Sequence, residues 1–204
     1  MRKYDEQYYI AFNNYDNETL YLKTLRKSTL RRPGRVKLTF GDEPLFFQNA
    51  YKNDDKLEGV KILPSKAHMN LGRIIVNTEL YRDLVQFDIR NFQLYPSVII
   101  DDDENHHDGY WFFNYYDRLP AIDFENSVID DYDPSNEEHS VDKYSLSNEV
   151  LDAIPEEERL IFIPSGADVE EVFVHQKIVD IFNAHKVDTI VFYKVSEWEM
   201  GEQF

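Results

Sequence analysis

Apolar positions along the chain follow one pattern twice. The run IIVNTELYRDLVQFDIRNFQLY, from Ile74 to Tyr95, lies without a gap over VFVHQKIVDIFNAHKVDTIVFY, from Val172 to Tyr193, an offset of 98 residues. Identities are few, chiefly Val76 with Val174 and Tyr95 with Tyr193; the apolar spacing is what recurs. Each copy opens on three β-branched or aromatic residues, Ile74-Ile75-Val76 or Val172-Phe173-Val174, as a short strand prefers. Asn77 and His175 then stand at the helix N-cap position, and Asn77 is the stronger cap. Leu80, Tyr81 and Leu84 in one copy, and Ile178, Val179, Ile181 and Phe182 in the other, fall at helical spacing. Strands at Phe92 to Tyr95 and Ile190 to Tyr193 close the copies. The predicted unit is strand, short helix, strand, used at about 74–95 and 172–193. Helices of two or three turns depend on packing rather than propensity.

Between the copies, Val98-Ile99-Ile100 leads into DDDENHHDGYWFFN, from Asp101 to Asn114. Both alternating faces of Tyr110 to Tyr116 are aromatic or neutral, which suits a strand covered on both sides. Two strands around a polar stretch predict a hairpin with a long loop, Asp101 to Asp108, and Gly109 at its exit. Pro120 ends the second strand, and an acidic connection rich in Asp, Asn and Ser follows. One short helix, a strand at Leu160 to Ile163 and a turn at Pro164 to Gly166 lead to the second copy. The N-terminal third predicts strands at QYYIAFNNY, GRVKLTF and PLFFQNAY, punctuated by Gly and Pro. The expected class is α+β, a strand-rich mixed sheet with short helices at its margins. Residues 1–62 read as an N-terminal strand-rich region and 63–204 as an α+β domain, unless the two are one continuous domain.

Length and composition narrow the function. A chain of 204 residues with 15% aromatics buries a real core in one domain or two small ones. The formal charge is -17, and the acids are concentrated: 22 acids face only Arg118, Lys143 and Arg159 between Asp101 and Glu171. No acid occurs between Glu18 and Asp42, where Lys23, Arg26, Lys27, Arg31, Arg32, Arg35 and Lys37 supply seven bases. That stretch is conceivable as an RNA-binding arm. The field of the remaining chain repels phosphates, so a region pairing with the protein's own acids is preferred and no nucleic-acid partner is expected. The absence of cysteine excludes disulfides, thiolate zinc sites and a cysteine nucleophile. The start MRKYDEQYYIAF has no apolar signal core, and no run approaches the roughly 18 apolar residues of a membrane span. A cytoplasmic protein without a membrane partner is expected. Asn17-Glu18-Thr19 spells a glycosylation sequon, which without a secretory signal is taken as chance.

The search for chemistry returns weak signals. Adjacent His106 and His107 cannot both face one ion from a strand, and no HExxH is present. A loop could still gather Asp103, His107 and Asp108, so the alternative reading is a metal-binding protein or metal-dependent enzyme built on the His106/His107 acidic loop. Asp131 to Asp142 places oxygen ligands at positions 1, 3, 5, 7 and 12 of an EF-hand-like loop, with Asn136 where glycine belongs and Asp142 where glutamate belongs. There is no GxSxG, GxGxxG or phosphate-loop motif, and among 39 acids no carboxylate pair stands out. The expectation is a non-enzymatic protein without a cofactor. An acidic, aromatic surface steers toward basic partners and anchors them with Tyr or Trp.

The run GYWFFNYYDRLPAID, followed by Ser127-Val128 and by LIFIPSGADVEEVFVHQKIVDIFNAHKVDTIVFYKV, resembles the bacterial immunity-protein family numbered eleven among the polymorphic-toxin immunity families. Gly109, Tyr110, Asn114, Arg118, Ala121, Ile122 and Asp123 occupy the positions of its motif, and LGRIIVNTELYRDLV resembles its preceding strand and helix. The resemblance runs from roughly Leu63 to Val195. It departs from the family pattern at Asp117, at Pro120 and at Val187-Asp188. It implies a cytoplasmic antitoxin that binds a cognate toxin domain tightly, and it implies no catalytic residues. Many antibacterial toxins act on nucleic acids through basic grooves, so a basic toxin domain is the expected partner. The expected contact surface comprises Asp101, Asp102, Asp103, Glu104 and Asp108 of the hairpin loop. Asp130, Asp131, Asp133, Glu137 and Glu138 of the acidic connection complete it. The oligomeric state is left open.

Overall fold

The computed structural model describes residues 2–16, 19–130 and 132–203. In chain order the elements are β1 (Tyr8–Asn13), β2 (Leu22–Thr24), α1 (Arg26–Thr29), β3 (Leu45–Asn49), α2 (Lys52–Glu58), β4 (Ala67–Asn70), β5 (Arg73–Asn77) and α3 (Thr78–Leu84). There follow β6 (Phe92–Ile100), β7 (His106–Tyr115), β8 (Val128–Ile129), β9 (Val141–Lys143), α4 (Asn148–Asp152), a 3-10 turn at Glu156–Glu158, β10 (Ile161–Phe162), β11 (Val172–His175), α5 (Gln176–Ala184) and β12 (Ile190–Lys194). The class is α+β, as the apolar patterning predicts.

Both copies of the repeat form, and they form the same object. In each, the two strands are parallel but not adjacent, because a third, antiparallel strand lies between them. β7 separates β5 from β6 in a six-stranded sheet of order β2-β3-β6-β7-β5-β4, and β1 separates β11 from β12 in a four-stranded sheet of order β10-β11-β1-β12. The register preserves the sequence offset. Ile75 pairs with Phe112, which pairs with Tyr95; 98 residues on, Phe173 pairs with Ile10, which pairs with Tyr193. The middle strand comes from after the first repeat and from the N-terminus for the second, so residues before position 62 complete the C-terminal unit.

Packing explains why apolar spacing survives when identity does not. Ile74, Val76, Leu80 and Leu84, and their counterparts Val172, Val174, Ile178 and Phe182, all enter one shared core between the sheets. Burial of each such side chain contributes about 1.5–3 kcal/mol, which holds helices too short to stand alone. The intervening residue of each strand faces outward into a separate core. Ile75 joins Phe47, Tyr95, Ile99 and Phe112, and Phe173 joins Tyr8, Tyr144, Phe162 and Trp198. Phe112 and Phe113 also point into different cores, so β7 is covered on both faces. The caps sit as expected: Asn77 accepts from Glu79 N and Leu80 N, and His175 from Lys177 N.

The structure corrects several sequence expectations. GRVKLTF is not a strand, although Val36, Leu38 and Phe40 alternate. Gly34, at φ +77°, starts a loop held by two buried side-chain amides in place of a neighbouring strand. Asn114 accepts from Gly34 N (2.5 Å) and donates to Val36 O (3.0 Å), while Gln93 accepts from Leu38 N (2.6 Å) and donates to Leu38 O (3.1 Å). The predicted strands at Phe92 to Tyr95 and Val98 to Ile100 are one nine-residue strand, β6, running through Pro96. The hairpin loop is shorter than expected, because β7 begins at His106, paired with Ile100. Gly109 lies inside β7 at a bulge, where the register slips between Ser97 and Ile99, and its φ of +82° needs glycine.

The six-stranded sheet curls until its edges, β2 and β4, approach each other. One side chain spans the seam: Asn70 donates to Leu22 O (2.8 Å) and accepts from the Thr24 hydroxyl (2.8 Å).

Candidate binding surface

The hairpin loop is an organised turn. Asp101 is only 5% exposed, and its carboxylate accepts from Asp103 N (3.0 Å), Asn105 N (2.8 Å) and Asn105 Nδ2 (3.0 Å), and lies 2.9 Å from His107 Nε2. Those bonds, the one to His107 foremost, hold its carboxyl well below the usual carboxylate range. Asp102 accepts from Asn49 Nδ2 (3.1 Å), Asp103 pairs with Lys61, and Glu104 pairs with Lys52. Much of this loop's charge is therefore answered within the molecule. Asp108 is exposed and has no ion-pair partner among the described residues. His106 and His107 diverge, His106 toward the Phe46 ring and His107 toward Asp101. Among the described residues no three His, Asp or Glu side chains are grouped to hold a metal ion.

The acidic connection is more open. Asp130, Asp133, Glu137 and Glu138 are exposed, while Asp131 lies outside the described residues, as does most of the Asn17-Glu18-Thr19 sequon. Asp133 accepts from Ser135 N (2.9 Å) and Ser135 Oγ (2.7 Å), which lower its carboxyl pKa. Glu138 accepts from Arg118 (2.9 Å). Tyr132 stands 56% exposed among these acids, its ring 4.8 Å from that of His139. The EF-hand-like spacing at 131–142 begins at Asp131, outside the described residues, and its end, Val141 and Asp142, lies in β9, paired with β8.

The two acidic segments are not brought together. One stands at the start of β7, which already includes Asp108, and the other lies beyond its end, where Glu138 meets Arg118. Between them runs an open trough of about 1080 Å³ at the β2–β4 seam. Its walls carry Tyr15, Tyr21 and Tyr51, the exposed tip residue Leu71 of the β4–β5 hairpin, and Lys23, Arg32, Arg35 and Arg73. Tyr21 packs on Tyr15 (6.2 Å between centroids) and edge-on to Tyr51 (5.6 Å).

Contacts link the trough to both acidic segments. At one end Glu170 gathers Arg73 (2.7 Å), Arg35 (2.7 Å) and Arg118, and Arg118 also holds Glu138. Burial alone would raise the Glu170 carboxyl, but the charges of Arg73, Arg118 and Arg35 overcome it and hold it below its ordinary range. At the other end Tyr51 adjoins Lys52, the partner of Glu104, and Asn49, the partner of Asp102.

Sequence reasoning passed over the trough because its basic residues were assigned to internal pairing. That assignment holds for Lys27 with Glu43 (3.6 Å), Arg31 with Asp42 (3.6 Å) and Arg35 with Glu170. Lys23, Arg26, Arg32 and Lys37 form no ion pair among the described residues. The available signal was a run of bases beside Tyr15, Tyr21 and Tyr51 in an otherwise acidic chain.

The model of the immunity protein family Imm11 matches residues 13–197 of the 204. The chain belongs to the Imm11 immunity protein family. No curated protein matches it. The Imm11 match spans both repeats, both acidic segments and the trough. The motif residues of this Imm11 chain build its frame: Gly109 forms the bulge, Asn114 holds the 34–38 loop, Arg118 joins the Glu170 cluster, Ala121 and Ile122 are core, and Asp123 pairs with Arg2.

Proposed function

We propose that the protein is a non-enzymatic antitoxin of a polymorphic toxin system, which binds a cognate bacterial toxin domain in the cytoplasm and masks its working surface. Membership of the immunity family over residues 13–197 carries this reading. The charge balance supports it, because a chain at -17 attracts a basic toxin groove and occludes it. The acids assigned to contact are Asp103, Glu104 and Asp108 at one end and Asp130, Asp131, Asp133, Glu137 and Glu138 at the other, with Tyr132 as an anchor. Asp101 and Asp102 act one step back, shaping the loop that presents their neighbours.

The test is co-expression with the toxin domain encoded beside this chain. Restored growth supports the reading, and arrest that persists with both proteins soluble refutes it. Reversing the charge of Asp130, Asp133 and Glu137 addresses the surface separately; full rescue by that variant removes the assignment and leaves the function.

A further inference from the structure

We propose that the trough between the acidic segments receives an extended, acid-bearing polypeptide segment of the toxin domain. This rests on the antitoxin reading and adds to it the part of the partner that enters.

Four observations point this way. At about 1080 Å³ the trough lies at the upper end of the range of small-molecule pockets and has room for a stretch of chain. Its free charge is positive: Lys23 and Arg32 have no ion pair among the described residues, and of the two lining acids Glu170 already serves three arginines, the other being Asp16. Arg73 is 6% exposed, and its Nη1 has no hydrogen-bond partner among the described residues. Tyr51 and Leu71, the latter 87% exposed, offer the apolar and aromatic contact that anchors interfaces.

Charge along the whole face selects the class of occupant. Contacts through Lys52 and Arg118 place acids at both ends of the basic trough, so one side of a standard interface of ~800 Å² per partner meets acidic, basic and acidic groups in turn. A nucleic acid longer than the trough would meet exposed acids without an ion pair among the described residues, Asp108 in one acidic segment and Asp130, Asp133 and Glu137 in the other. A polypeptide can place carboxylates centrally and bases at its flanks. Lys23 and Arg32 then take the carboxylates, and an apolar side chain of the segment packs among Tyr15, Tyr51 and Leu71.

The experiment is titration calorimetry of the full chain against the purified toxin domain, comparing wild type, Lys23→Glu/Arg32→Glu, and the control Arg82→Glu/Lys186→Glu, which makes the same net charge change away from the trough. The trough variant is expected to weaken binding by about tenfold or more at unchanged Tm, with the control within about twofold of wild type. Hydrogen exchange should show residues 21–24 and 69–73 protected in the wild-type complex. Equal weakening by both variants, or none by the trough variant, overturns the trough assignment while the antitoxin reading stands. Wild-type protein that fails to bind the toxin overturns both. Binding of polyuridylate that the trough variant abolishes would make nucleic acid the occupant and overturn the polypeptide.

Discussion

Replacing Asn114 with alanine removes the device that holds the 34–38 loop against the six-stranded sheet. Asn114 is fully buried, and three hydrogen bonds are lost with its amide: to Gly34 N, to Val36 O and to Gln93 Oε1 (2.7 Å). The losses differ in cost. Gln93 Oε1 retains its bond from Leu38 N, and Val36 is an exposed residue. Gly34 N is left buried without a partner, and one such orphan costs about 1–3 kcal/mol. Adding the lost bond to Val36 and the small void gives about 2–4 kcal/mol in total. Urea unfolding followed by the fluorescence of Trp111 and Trp198 reads this directly. At a slope of about 2 kcal/mol/M, the midpoint falls by about 1–2 M without a change in slope. A loss under about 1 kcal/mol would mean that the loop does not depend on the amide pair, and that Arg32 and Arg35 are positioned by something else.

Glu171 supplies a pH-dependent prediction. It is buried, and burial raises its carboxyl to about 7 despite the opposing influence of Tyr144. The folded state therefore holds a proton that the unfolded state releases at its ordinary value, so stability falls as pH rises from about 4.5 through 7. By pH 8 the penalty is on the order of 3 kcal/mol; Glu171→Gln removes it, flattening the profile and making the variant the more stable form at pH 8 in parallel thermal melts. Asn77→Ala removes two cap bonds, to Glu79 N (3.1 Å) and Leu80 N (3.2 Å), and should cost about 1 kcal/mol by denaturant titration. Gly109→Ala places a side chain at φ +82° with its Cβ 3.0 Å from Thr78 Oγ1, for a loss of about 1–2 kcal/mol; an unchanged midpoint would show that the bulge tolerates any residue.

The two repeats were legible because their pattern records packing. Val76 and Val174, Leu80 and Ile178, and Leu84 and Phe182 face one core, so the helical period and the flanking strands show through with few identities. The middle strands were not legible as such, because β1 and β7 are recruited from opposite directions along the chain and no local pattern encodes which strand inserts where. GRVKLTF misled for a related reason: its alternation is real, but its hydrogen-bond partners are the amides of Asn114 and Gln93. β4 was missed because Ala67, His68, Met69 and Asn70 include none of the β-branched or aromatic residues that mark a strand, and its burial is set by the fold around it. The acidic segments were visible as charge, yet charge alone did not reveal that Asp101 is turned inward or that Lys52 and Lys61 answer Glu104 and Asp103. The trough needed the fold, since Tyr15, Tyr21, Tyr51 and Leu71 meet only when β2 and β4 close the sheet.

Growth of cells that produce this chain together with a toxin domain encoded beside it tests the antitoxin proposal most directly. Growth is expected to be restored, with the two proteins purifying as a stable complex. Continued arrest, with both proteins soluble and no complex recovered, would contradict it.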